Sequence, residues 1–148
     1  MTSTPPRPPM PIDRLNRNAR LLLGAAQQEA ERRGGTVVDS GLVLLSVASA
    51  EDQLSQVLLR ALGTDLVSLR SAVDAQWSEV SPWLLDQPIS LVNAAMTAAV
   101  ERVPASDEAG IEMLLTVLLE FNDSMASRLV TRLGGEPTTV ARALLASR

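Results

Sequence analysis

The side chains open to polar chemistry in this chain are carboxylates, hydroxyls, amides and guanidinium groups, because Cys, His, Tyr and Lys are all absent. A zinc site of the Cys/His kind therefore has no ligands. Ser-His-Asp and Cys-His nucleophile pairs, Schiff-base lysines and tyrosine acids are excluded for the same reason. A conventional hydrolase is disfavoured, whereas a cavity that only shapes its substrate is not. Arg14, Arg17 and Arg20 recur at helical spacing, a local basic stripe that reads first as a solvated helix face. Trp77 and Trp83 flank a proline-bracketed stretch, where they either tack it onto the protein or wall a binding groove. Glu112 stands at the beginning of an apolar run, where a helix dipole favours an acidic side chain.

These residues need a scaffold, and the composition says which kind. The chain has 148 residues, enough for one domain, and 46% of them are hydrophobic, so a real core can form. Only 2% are aromatic, so that core must be built from Leu, Val, Ala and Met, which points to an all-α fold. The net charge of −4 is the wrong sign for a domain-wide nucleic-acid footprint. The lack of cysteine fits a reducing, cytoplasmic compartment. No apolar run approaches the roughly 18 residues of a membrane span, and the first residues lack the apolar core of a secretory signal. No metal, cofactor, nucleic acid or membrane is expected as a partner.

The pattern along the chain is helical throughout. Residues 1–10 are Pro-rich and read as an extended tail. From Pro11, a residue suited to a first helical turn, Ile12, Leu15, Ala19, Leu22, Leu23, Ala26 and Ala30 recur at three- and four-residue steps. That helix should end at Gly34 and Gly35. Asp39 or Ser40 can cap the next, which carries Leu42, Leu44, Leu45 and Val47. A third runs through Leu54, Val57, Leu58, Ala61 and Leu62 to Gly63, and Thr64 can cap a fourth that reaches about Trp77. Pro82 and Pro88 bracket a connector, residues 78–88. Beyond it the plan recurs: a helix with Leu91, Val92, Ala95 and Ala99, an apolar helix from about Gly110, one capped by Asn122 or Asp123 and ended by Gly134, and one with Pro137 in its first turn. At an offset of about 71, Leu58 meets Leu129, Leu62 meets Leu133 and Gly63 meets Gly134. The expected organisation is two four-helix repeats, residues 11–77 and 89–148, joined by the connector.

The runs 21–34 (LLLGAAQQEAERRG), 38–47 and 58–63 (LLRALG), together with 129–134, resemble the helices of the Clp N-terminal, or Clp repeat, domain family. The resemblance covers nearly the whole chain after the tail. It implies an eight-helix, pseudo-two-fold domain that recruits proteins or peptides, such as substrates and adaptors of a Clp ATPase. In some members a glutamate in each repeat's Glu-His segment binds the guanidinium of phosphoarginine. Here Gly41 and Leu42 occupy those positions in the first repeat, and Glu112 and Met113 occupy them in the second. One acidic anchor of two is kept, which argues against a two-site receptor. Asp39, Glu108 and Glu112 are the carboxylates nearest these segments, and a carboxylate there can pair bidentately with a guanidinium. No Gly-Lys-Ser/Thr nucleotide loop can exist without lysine, so this stretch alone would bind without unfolding.

Three functions follow from that resemblance. The leading one is a protein- or peptide-binding module, with a groove between the halves lined by apolar contacts and a few charges. A second is a site for an apolar small molecule, such as a cyclic peptide, held for sequestration or resistance and walled by Met96, Met113 and Met125. A third is a cavity-type enzyme, a cyclase on the same scaffold; no motif supports it.

Overall fold

Most of the helices begin where a short polar side chain can accept one of the free N–H groups of the first turn. The computed structural model describes residues 11–35, 38–79, 90–121 and 124–147. Eight α-helices account for most of them: α1 (Arg17–Arg32), α2 (Ser40–Ser49), α3 (Gln53–Leu62), α4 (Leu66–Glu79), α5 (Ser90–Glu101), α6 (Ile111–Glu120), α7 (Met125–Arg132) and α8 (Pro137–Ala146). The fold is all-α, as the composition required. The Pro-rich tail 1–10, Trp83 and most of the expected connector lie outside the described residues.

Asn16 accepts from the Ala19 N–H at 2.9 Å to start α1, and Asp39 accepts from the Leu42 N–H at 2.9 Å to start α2. Asp52 and Ser55 form a reciprocal box at the start of α3. Two caps differ from expectation. Asp65, not Thr64, accepts from the Ser68 N–H at 2.7 Å ahead of α4. A carboxylate is the stronger acceptor and lies one residue closer to the helix. At α7 the cap is Ser124, whose hydroxyl accepts from the Ser127 N–H and donates to the Leu118 carbonyl at 2.8 Å, tying the new helix to the end of α6. The anticipated caps Asn122 and Asp123 lie outside the described residues. Gly63 and Gly134 end α3 and α7 with φ of 67° and 88°, a conformation costly for any other residue.

The first helix also starts later than its apolar periodicity predicts. Pro11–Arg14 form a separate 3-10 turn. The chain then extends through Leu15, where the Asn16 N–H donates to the Ala109 carbonyl and the Ala109 N–H to the Arg14 carbonyl, both at 2.8 Å. Arg14 reinforces this bridge by donating to the carbonyls of Pro104 and Asp107. These tertiary hydrogen bonds replace the helical ones that Pro11 to Leu15 would have made. The bridge buries Leu15 completely, and Ile12 is left exposed.

α2 and α6 form the centre. Each is apolar on nearly all sides and buried along most of its length, which an amphipathic surface helix is not. They touch one another, and α1, α3, α4 and α7 surround α2 while α1, α5, α7 and α8 surround α6. Two hydroxyls lock helix starts onto these central rods: Ser55 donates to the Val47 carbonyl at 2.6 Å, and Ser127 to the Leu119 carbonyl at 2.9 Å. On the surface, Glu29 of α1 pairs with Arg33 at 2.7 Å and reaches Arg32 and Arg70, and Arg33 reaches Asp74 of α4 at 2.6 Å. Arg102 and Glu120 pair in the same way between the ends of α5 and α6.

Burial by itself would raise the Glu29 pKa, but the Arg33 hydrogen bond and the charges of Arg70, Arg33 and Arg32 outweigh it and hold the carboxyl below the ordinary glutamate value. A depressed folded-state pKa contributes stability above the unfolded value, about 4.5, and loses it as the pH falls through the folded value. Wild type should therefore lose stability progressively below about pH 5. Glu29→Gln should start less stable at pH 7 and show a shallower loss, read from urea unfolding midpoints across pH 3–7.

Candidate functional site

The starts of the two central helices carry the same chemical parts in opposite order. At α2 the sequence is Asp39-Ser40-Gly41, and at α6 it is Gly110-Ile111-Glu112. At α2 the carboxylate precedes the helix and caps it, and the glycine lies in the first turn. A Cβ on Gly41 would lie only 3.1 Å from both Asp39 Oδ1 and Gln76 Oε1. At α6 the glycine precedes the helix and offers no side-chain cap. Glu112 in the first turn folds its carboxylate back over Gly110, so that a Cβ there would meet both carboxylate oxygens closer than 3.0 Å. Each helix start thus holds one carboxylate, and each glycine makes the room for it.

The two carboxylates differ in what they can reach. Asp39 is completely buried. It stands beside a polar joint inside the protein, where Ser40 Oγ accepts from the Ala126 N–H at 2.8 Å and Gln76 Nε2 donates to the Met125 carbonyl at 3.1 Å. Glu112 is only half-buried and lines an open cleft of about 320 Å³ with Asn18, Asp52, Gln53, Leu54 and Ser147. Four elements meet there: the first turn of α1, the start of α3, the first turn of α6 and the residue that ends α8. Asp52 brings a second carboxylate, no basic side chain lines the cleft among the described residues, and the last carbonyls of α8 add partial negative charge at its edge. The arrangement suits a cationic group with several hydrogen-bond donors, and a guanidinium fits that description.

The residues singled out from the sequence are dispersed. Of those among the described residues, Glu112 alone lines the cleft. Gly41 and Leu42 are buried at the start of α2. Met113 is buried behind Glu112, and Met96 and Met125 also belong to the packed interior, so the three methionines do not wall an open pocket. Glu108 is exposed on the loop before α6, outside the cleft lining. Trp77 closes onto the turn after α1, with two ring atoms within 3.0 Å of where a Gly35 Cβ would sit. Its indole nitrogen is buried and has no acceptor among the described residues. That contact fastens the end of α4 to the turn after α1. Asn18, Asp52, Gln53 and Ser147 were missed because they come from elements far apart in the chain. Gln76 did carry a signal, since it falls at the buried phase set by Leu69 and Val73.

Among the described residues no group of three His, Cys, Asp or Glu side chains is placed to hold a metal ion. No described helix is long and apolar enough to cross a membrane. No family model matches this chain, and no curated protein matches it.

Proposed function

We propose that this chain is a protein- or peptide-binding module of the Clp N-terminal type, and that its cleft at Glu112 receives a basic side chain of the bound partner. The observation that carries this reading is the convergence of Glu112 and Asp52 on one open cleft. The lining is polar apart from Leu54, which favours a charged group over an apolar small molecule or a cyclase substrate. It also favours an unmodified guanidinium over a phosphorylated one, because a phosphoryl group would meet two carboxylates. A substrate or adaptor of a Clp ATPase, presenting an exposed arginine, has the required chemistry.

The duplication implied by the family resemblance is supported by the paired hydroxyl ties of Ser55 and Ser127, each to the last turn of the preceding helix. Their register is one position longer than the offset of the helix-ending glycines, so α7 is shorter than α3 by part of a turn.

Calorimetric titration with acetyl-Gly-Arg-Gly-amide and with free phosphoarginine tests the proposal. Wild type should bind the arginine peptide and Glu112→Gln should weaken it about tenfold or more, since a charge-assisted hydrogen bond contributes about 1.5–3 kcal/mol. Phosphoarginine should bind more weakly than the peptide. Absence of heat with both ligands would sink the reading.

A further inference from the structure

Resting on that assignment of the cleft, we infer that Gly110 is a positioning residue that sets how far Glu112 reaches into it. Three features of the α6 start combine. The three atoms nearest a Gly110 Cβ all belong to the Glu112 carboxyl group, so the missing side chain is the seat in which the carboxylate rests. The N-cap residue Gly110 supplies no capping side chain, unlike the N-cap residues of α1, α2, α3 and α7, and an acidic group in the first turn is favoured by the helix dipole. Glu112 is also a wall of the cleft. Its carboxylate therefore has two competing places, the helix start and the ligand. A bound cation must draw it out of the seat, and the apparent affinity is reduced by the fraction of molecules in which the carboxylate is seated.

Filling the seat should shift this balance. The Gly110 backbone, with φ of −90° and ψ of 170°, is open to any residue, so a side chain there brings no backbone strain. Serine is the suitable replacement. Its Cβ displaces the flexible end of Glu112, and its hydroxyl can cap α6 in the carboxylate's stead. Gly110→Ser should bind acetyl-Gly-Arg-Gly-amide about two- to fivefold more tightly than wild type, the range expected when a carboxylate is released from an exposed helix start.

A ligand-free measurement keeps the two levels apart. The amide resonances of Ile111, Glu112 and Met113 are recorded for wild type, Glu112→Gln, Gly110→Ser and the double variant. If the carboxylate rests at the helix start, Glu112→Gln moves these amides in the wild-type background and leaves them nearly unmoved once serine occupies position 110. Equal movement in both backgrounds overturns the role of Gly110, whatever the peptide does. Unchanged peptide affinity in Gly110→Ser, with binding still dependent on Glu112, overturns it as well. Loss of the amide response in the Gly110→Ser background, with no peptide binding by any of the four proteins, upholds the seat and overturns the cleft assignment.

Discussion

Gly41→Glu is expected to remove about 3–5 kcal/mol of stability, the usual cost of an uncompensated buried charge. That is a large share of the 5–15 kcal/mol that holds a typical domain together. The substitution restores the side chain that the Clp resemblance places at this position, so the resemblance alone would call it benign. The structure reverses that expectation. Position 41 is buried, its Cβ would stand 3.1 Å from Asp39 Oδ1 and Gln76 Oε1, and Met125 closes the remaining side at 3.6 Å. A second carboxylate would enter beside the buried Asp39, and it would wedge apart the Gln76–Met125 hydrogen bond. Urea unfolding is the measurement, with Gly24→Glu as the control. Gly24 is exposed on α1 with nothing within 4 Å of its Cβ position. Glutamate there should stabilise by about 0.5–1 kcal/mol, because glycine is a poor residue for a helix interior. A Gly41→Glu protein as stable as wild type would show that the α2 start is not packed as described.

Leu114→Ala should cost about 2–5 kcal/mol, from lost burial plus the cavity left behind. Leu114 is completely buried in α6, the rod that contacts α1, α2, α5, α7 and α8. With neighbours on every side, no single helix can slide in to fill the gap, so the cost should fall in the upper part of that range. Leu21→Ala on the exposed face of α1 should change stability by less than about 0.5 kcal/mol. Both are read from denaturant midpoints at constant slope. A Leu114→Ala cost under about 1 kcal/mol would mean that the centre is plastic and that α6 is not the rod around which the others pack.

The Gly110 and Gly41 positions show why the likeness of two helix starts is not enough to infer a shared site. Read as a string, Asp39-Ser40-Gly41 and Gly110-Ile111-Glu112 show one anchor lost and one kept. In three dimensions each start keeps a carboxylate, and what differs is exposure. Asp39 is sealed beneath α4 and α7, and Glu112 opens onto a cleft. Asp39 stands two residues before Gly41, buried, where it caps α2. The pattern alone could not show this difference, because exposure depends on which neighbours cover each helix start.

Much of the fold was legible in advance for a local reason. Apolar residues at three- and four-residue steps, capping side chains, and the glycines after α3 and α7 all act through contacts within about four residues. The sequence by itself therefore determined an all-α protein, the helices and most of their ends, the two apolar rods, and the absence of Cys, His, Lys and Tyr chemistry. The α4 cap differed for a local reason, and the first helix differed where a distant partner competed with local order. The periodic segment from Pro11 was broken because Arg14 and Asn16 hydrogen-bond to Ala109 across the fold. Only the tertiary structure decided that Asn18, Asp52, Glu112 and Ser147 share a cleft, that Gln76 is an internal tie, and that the methionines serve the interior. These are relations between residues tens of positions apart, set by how helices pack around α2 and α6, and the periodicity of a single helix holds no record of them.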